Sequence, residues 1–215
     1  MFRLVFNNML YDVKTEDILI ITSSGKLSNK LIHKLQHSHK DINILRDKTM
    51  SLKKMFYIFK NNQKLNFNFY LNLILNEIFR KQFKIKKVKN FKNKQDLLNH
   101  LNNLKPKLVF VFRGSYIFPP SILENFTIIN IHCSDISKEK YRGLGGVYFS
   151  FIDKEEETFA SMHKMETEID SGDIISTKQY CFDFKKNYYH NENIAFDTGI
   201  QLLFDQLEEI KSKKD

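Results

Sequence analysis

The chain of 215 residues has only two cysteines, Cys133 and Cys181, far apart and without a CxxC or Cys/His spacing. That argues against a disulfide scaffold and a zinc site, and for a reducing, cytoplasmic setting. A long unbroken apolar run is also missing. The nearest approach, residues 65–79, is interrupted by Asn66, Asn68, Asn72 and Asn76, whose amides would be costly in lipid, so no membrane span is expected. The N-terminus has Arg3 and a short apolar stretch, but it lacks a small-residue cleavage site and is broken by Asn7 and Asn8, so it does not read as a signal peptide. Acidic residues are in deficit, 25 against 34 Lys plus Arg, and the formal charge of +9 favours anionic partners such as nucleotides, folates, nucleic acid or acidic lipid heads. Glycine is scarce as well, with seven in the chain, most of them in four loops: Gly25, Gly114, the group Gly143, Gly145 and Gly146, and Gly172. Glycine marks places where backbone turns tightly or touches a ligand.

What is present is a sequence 42% hydrophobic, enough for one sizeable core, in which short β-rich runs alternate with longer helical ones. Strands are expected at 17–22 (DILIIT), 41–45 (DINIL), 85–90, 107–112 (KLVFVF) and 126–131 (FTIINI), with a further alternating strand at 158–165. Helices are expected at about 28–37, within a long excursion at 51–82, at 95–104 with Asn93 as its cap and Pro106 beyond its end, and amphipathically over the last thirty residues, where packing on the sheet or a homodimer contact are the alternatives. The fold class is α/β: a single Rossmann-like domain over 17–215 with a mostly parallel twisted sheet flanked by helices. Residues 1–16 form an N-terminal extension, an edge strand or an arm.

In open parallel sheets ligands bind beyond the carboxyl ends of the strands, and the loops holding Gly25, Gly114 and the stretch after Asn130 all follow strands. Asn130 and His132 are two apart on a strand end, so both face the same way. An amide and an imidazole aimed at one carbonyl oxygen would stabilise an oxyanion by about 3 to 4 kcal/mol per donor, and Asp170 would orient the histidine and collect a proton. A buried histidine that merely satisfies backbone carbonyls is the competing reading. Arg142, Lys138 and Lys140 are candidate anion contacts, and Ser23, Ser24, Ser28 and Asn29 would meet a phosphate at the start of the first helix. Lysines 81, 84, 86, 87, 89, 92 and 94 read as solvated surface, and His33 and His37, with His39 nearby, as surface histidines and not metal ligands.

The run NIHCSDISKEKYRGLGG at 130–146, EETFASMH at 156–163 and METEIDSGDII at 165–175 together resemble the folate-dependent formyltransferase family, most closely its sugar N-formyltransferases. Similarity extends to DILIITSSGKLSN and KLVFVFRGSYIFPPSIL and covers about 17–180. The resemblance implies a catalytic set of Asn130, His132 and Asp170, 10-formyltetrahydrofolate as formyl donor, a primary amine as acceptor, and no metal. It implies a pterin pocket at Ser115, Tyr116, Ile117, Phe118, Thr167, Glu168 and Ile169, and acceptor contacts at Ser24, Ser28, Asn29, Tyr141, Arg142 and Gly143. The chain departs from the family at Cys133 and Asp135, in a span from Asn130 to Gly143 about two residues longer than usual, and at Phe159 and Glu168. The acceptor expected is a nucleotide-linked amino sugar of surface polysaccharide or lipopolysaccharide biosynthesis. Phosphoribosyl glycinamide, methionyl-tRNA and a non-catalytic folate- or anion-binding role are the alternatives; a nucleic-acid partner is not expected, because the tRNA enzymes carry a further β-barrel domain.

Overall fold

The stretch Leu108–Phe112, LVFVF, is buried at every position, which requires a strand covered on both faces. The computed structural model, which describes residues 12–50 and 67–213, supplies both covers. Its elements in chain order are β1 (Ile18–Thr22), α1 (Lys26–Ser38), β2 (Asn43–Asp47), α2 (Phe67–Phe79), β3 (Lys89–Phe91), α3 (Lys94–Leu104), β4 (Leu108–Phe112), the single turn α4 (Pro120–Leu123), β5 (Ile128–His132), α5 (Gly146–Ile152), β6 (Glu157–Lys164), β7 (Ile174–Cys181) and α6 (Tyr188–Ser212). The strands form one sheet in the order β3-β2-β1-β4-β5-β6-β7. Strands β1 to β5 are parallel, β6 runs antiparallel to β5, and β7 antiparallel to β6. This is the mixed α/β, mostly parallel architecture expected. The chain order reverses between β1 and β4, so their neighbouring carboxyl ends open a crevice.

One core packs α1 and α6 on a face that includes Ile18, Ile20, Phe110, Phe112, Ile129 and Ile131. The other packs α3 and α4 against Leu19, Ile21, Val109, Val111 and Ile128. Asn93 caps α3 by accepting from the Asp96 N–H at 3.0 Å, and Asn187 caps α6 by accepting from the His190 N–H at 3.0 Å. Helix α6 lies on the sheet through Ala195, Ile200, Leu203, Leu207 and Ile210. At Gly199 it approaches so closely that a Cβ would sit 2.7 Å from Cys133 Sγ and 3.2 Å from Phe112. Gly199→Ala is therefore expected to cost about 1–3 kcal/mol by overpacking, read as a lower urea midpoint at unchanged slope.

Several boundaries differ from the sequence expectations. Strand β3 begins at Lys89, not near Ile85, because the Lys86 backbone is tied to α1: its N–H donates to Gln36 Oε1 at 2.9 Å and its carbonyl accepts from Gln36 Nε2 at 3.3 Å. Strand β7 was not anticipated. Its polar alternation, ISTKQ, offers one buried face, which only pairing with β6 satisfies. The expected excursion at 51–82 is a helix over Phe67–Phe79, and 51–66 lie outside the described residues. Residues 1–11 of the extension also lie outside them; 12–17 form a loop and a short turn that bury Val13 in the core. His39 is buried against Glu208 and Phe204, whereas His33 and His37 stack on each other at 4.3 Å between ring centres.

Candidate active site

Three pieces of chain meet beyond the carboxyl end of β5. Asn130 and His132 alternate with buried Ile129 and Ile131, so they leave the sheet on the face away from α6. Asn130 lies directly across from His163 of β6, and the ladder between β6 and β7 is irregular at Met162/His163, a feature that re-aims side chains beside functional sites. The third piece is the turn from β6 to β7. Lys164 N–H donates to the Asp173 carbonyl at 3.0 Å, and Gly172 passes so close to β6 that a Cβ would fall 2.0 Å from the Lys164 carbonyl. Held in that turn, Asp170 takes a left-handed φ of +52°, a conformation Asp tolerates better than most residues.

The Asp170 carboxylate is the hub. Oδ1 accepts from Asn130 Nδ2 at 3.0 Å and lies 3.3 Å from His163 Nε2. Oδ2 accepts the Gly143 N–H at 2.8 Å and lies 3.3 Å from His132 Nδ1. Burial pushes its pKa up, but the His163 hydrogen bond, the His132 charge and the Gly143 N–H outweigh burial and hold it well below the ordinary carboxylate range. His132 is shifted down, by burial first and by the neighbouring His163, against the opposing pull of Asp170 and of the Tyr141 carbonyl.

The two donors expected to face an empty oxyanion position are self-paired. Asn130 Nδ2 lies 3.1 Å from His163 Nε2 as well as bonding Asp170, and His132 Nε2 lies 3.1 Å from the Tyr141 carbonyl. Any carbonyl ligand must take His132 Nε2 from Tyr141. The same carbonyl accepts from Ser134 Oγ at 2.9 Å. Gly146 closes this corner: a Cβ there would lie 2.2 Å from both Ser134 Oγ and the Tyr141 carbonyl and 3.1 Å from His132 Nε2. Gly146→Ala is expected to destabilise the fold by about 1–3 kcal/mol in urea and to move the His132 ring resonances in NMR.

Several expected contacts are occupied elsewhere, each for a local reason. The Tyr141 ring is fully buried and its hydroxyl lies 2.6 Å from Glu155 Oε1 and 2.9 Å from Asp153 Oδ2, donating its one hydrogen to one of the two, so its side chain pins the loop and does not meet an acceptor. Lys138 pairs with Glu155 at 2.5 Å and Lys140 with Asp153 at 3.0 Å, so these lysines serve that acidic pair and are not free anion contacts; the Lys138 and Tyr141 hydrogen bonds lower the Glu155 pKa to about 2. Arg142 Nε donates to the Ile136 carbonyl at 2.9 Å. Ser115 N–H and Oγ both donate to buried Asp47, at 2.6 and 2.8 Å, and Phe118 is in the second core, so neither group is turned to a ligand. Ser28 is buried against Ser23, and Asn29 accepts from Arg46 Nη2 at 2.8 Å. Ser24 is exposed, and Tyr116 stacks edge-on with Phe91 and Phe118.

Thr167, Glu168 and Ile169 are exposed, and Ile117, Leu144 and Ile169 present large apolar side chains to solvent from the loops around the cluster. His163, which sequence reasoning passed over, joins the cluster through Asn130 and Asp170. The signal was available, since EETFASMH ends on it in the segment that resembles the family. Among the described residues no group of His, Cys, Asp and Glu could hold a metal ion, and no helix is long and apolar enough to cross a membrane.

The fold and site define an α/β protein with an amide, two imidazoles and a carboxylate gathered at the end of a central strand, a constellation suited to acyl transfer. No family model matches the chain. It is 31% identical over 113 residues to the methionyl-tRNA formyltransferase of Hydrogenobaculum sp. (strain Y04AAS1), covering 52% of this chain and 37% of that protein. The chain thus spans well under half the length of that curated relative. Among solved structures, it is similar to a 4-N formyltransferase from Francisella tularensis, with TM-score 0.61 and 19% identity over 94% of this chain and 72% of that one. It is likewise similar to phosphoribosylglycinamide formyltransferase from Streptococcus pneumoniae, with TM-score 0.60 and 12% identity over 89% and 97% of the two chains. The chain has the fold these formyltransferases share and resembles formyltransferases in sequence.

Proposed function

We propose that this chain transfers a formyl group from 10-formyltetrahydrofolate to a primary amine, and that the acceptor amine is carried by a nucleotide-linked sugar. The observation that carries the reading is the convergence of Asn130, His132 and Asp170, with His163 completing the hydrogen bonds. The bound donor supplies an electrophilic formyl carbon to an attacking amine, and the bond from that carbon to the folate nitrogen breaks. His132, released from the Tyr141 carbonyl, and Asn130, released from His163, donate to the oxygen on which negative charge builds. Asp170 positions His132, and its negative charge helps the proton the amine loses pass through water to the folate nitrogen. Exposed Ile117 and Ile169 and the turn at Thr167, Glu168 and Ile169 fit the flat pterin. The formal charge of +9 suits a diphosphate-bearing acceptor, and the site would operate in the cytoplasm on a soluble substrate.

A second acceptor, methionyl-tRNA, is favoured by the sequence match to enzymes of that name. Donor labelled in its formyl group, offered in turn with nucleotide-linked amino sugars, phosphoribosyl glycinamide and methionyl-tRNA, separates the readings. Label is expected in an amino sugar. Label in methionyl-tRNA instead would replace the acceptor assignment, and transfer to no amine would remove the enzymatic reading.

A further inference from the structure

Helix α2 is docked by one face and apolar on the other. Phe69, Asn76 and Arg80 are buried on its inner side, Asn76 and Arg80 both bond Glu192 of α6, and Glu77 accepts the Lys26 N–H of α1 at 2.6 Å. Phe67, Leu71, Ile74, Leu75 and Ile78 recur at helical spacing on the opposite side, and together with Phe79 they are 38% to 73% exposed. Contiguous apolar surface of this kind marks a binding face. The chain then leaves α2 into a basic stretch: between Glu77 and Asp96 there are seven lysines and no acidic residue. All seven are exposed, and among the described residues none is in an ion pair. Lys26 Nζ donates to the Ile78 carbonyl at 2.8 Å, Phe83 packs on His33 at 5.3 Å between ring centres, and the Lys86 backbone is tied to Gln36, so the stretch runs along α1 from head to tail. At the tail, Gln36, His37, Lys40, Lys84, Ile85 and Lys86 line a groove of about 470 Å³ with no acidic side chain in its wall.

An exposed apolar helix face that runs into unpaired lysines has the chemistry of an interfacial membrane contact: Leu, Ile and Phe enter the boundary of the acyl chains while lysines stay at the phosphate headgroups. We propose that the outer face of α2 and the lysines at 81–94 dock this protein on the surface of an anionic lipid bilayer, without a spanning helix. Nucleic acid would answer the charge but not the apolar face, because bases stack on flat rings and four of the six exposed side chains are Leu or Ile. A second copy of the chain would answer the apolar face but not the charge, because it carries the same positive stretch and brings no counter-charge to it. The docking surface shares no residue with the cluster of Asn130, His132, His163 and Asp170, and its argument does not depend on formyl transfer.

The test is sedimentation of the full-length chain with vesicles of equal parts phosphatidylglycerol and phosphatidylcholine, and with vesicles of phosphatidylcholine alone. Wild type is expected to bind the anionic vesicles about tenfold or more tightly than the neutral ones, and to be weakened by a similar factor at about 1 M salt, where screening reaches about 3 Å. The triple variant Lys84→Gln, Lys86→Gln and Lys87→Gln should lose that preference, since each lysine near an anionic surface contributes severalfold. Ile74→Ser with Ile78→Ser should weaken binding to the anionic vesicles about tenfold or more while leaving the lysines in place. All five positions are exposed or, at Ile74 and Ile78, turned away from the docked face, so circular dichroism should show both variants folded; if the isoleucine variant does not fold, the lysine variant decides. Absence of vesicle binding, or equal binding by wild type and folded variants, would overturn the proposal. So would a concentration-dependent dimer that the isoleucine variant abolishes and that ignores vesicles, or RNA binding that displaces the vesicles and is indifferent to the isoleucine variant. None of these outcomes involves formyl transfer, so the two readings fail separately.

Discussion

His132→Ala is expected to lower kcat roughly 100- to 1,000-fold, the usual cost of removing one oxyanion donor, with folate binding retained. The argument is geometric. His132 is the one site imidazole with a ring nitrogen on each side of the chemistry, Nδ1 toward Asp170 and Nε2 toward the position a carbonyl oxygen would take from Tyr141. Its side chain is 17% exposed, compared with 1% for His163, so only His132 is reachable by a ligand. Asp170→Asn should show a loss of similar size by a different route. The amide carries no negative charge to help the proton pass, and it offers an N–H where Gly143 N–H or Asn130 Nδ2 requires an acceptor. Steady-state rates with fluorescence-monitored folate binding separate lost chemistry from lost binding. Turnover within threefold of wild type in both variants would remove the assignment.

The same pair sets the pH dependence. His132 is held below the usual histidine value of about 6.5, so the acid limb of kcat/KM should lie below that value. For stability the sign follows from the unfolded state, which takes up the proton first as pH falls. Neutral His132 thus contributes stability above about pH 6.5 that is lost as pH drops through its lower folded value. Asp170 acts in the same direction much further down, because its carboxylate stays ionised until strongly acidic pH. In Asp170→Asn the carboxylate that pulls His132 upward is gone. The residual acid limb should therefore move to still lower pH, which proton NMR of the ring can follow directly; a limb that moved upward would contradict the pairing.

How far such a site can be read in advance depends on whether the information is local. The strands β1 and β4 were legible because burial on both faces forces unbroken apolar runs, and the α3 cap because Asn93 lies three residues before the Asp96 N–H it accepts. Asn130 and His132 share a face by strand periodicity alone. The partner choices of polar side chains were not legible. Tyr141, Lys138 and Lys140 looked like ligand contacts until Asp153 and Glu155, a dozen or so residues later, folded back to take them. Ser115 was claimed by Asp47 across 68 positions, and the head of α1 by Glu77 across 51. His163 joined the site only through the register that sets it opposite Asn130. Backbone pattern is written in neighbours, whereas hydrogen-bond partners are assigned by the tertiary structure.

The largest stability loss is expected from Glu192→Ala. Arg80 of the α2 end and Glu192 of α6 form a hydrogen-bonded ion pair at 6% and 2% exposure. Glu192 also accepts from Asn76 Nδ2 at 2.8 Å and Tyr188 hydroxyl at 3.3 Å, while Arg80 Nε donates to Asn193 Oδ1 at 3.4 Å. Burial already lowers the Arg80 pKa to about 10, so the guanidinium is poorly solvated and depends on its partner. Removing the carboxylate leaves a buried charge uncompensated, which typically costs about 3–5 kcal/mol, and urea denaturation should show that loss. Replacing both members with apolar residues, Arg80→Met with Glu192→Leu, should recover most of it, because the desolvation penalty leaves with the charges. A loss below about 1 kcal/mol in the single variant would mean the pair behaves as a surface bridge. The pair also tethers α2, the helix that carries Glu77 to the head of α1. Glu192→Ala should therefore loosen the carboxylate from Lys26 N–H, whereas the double apolar variant, with α2 still docked, should not.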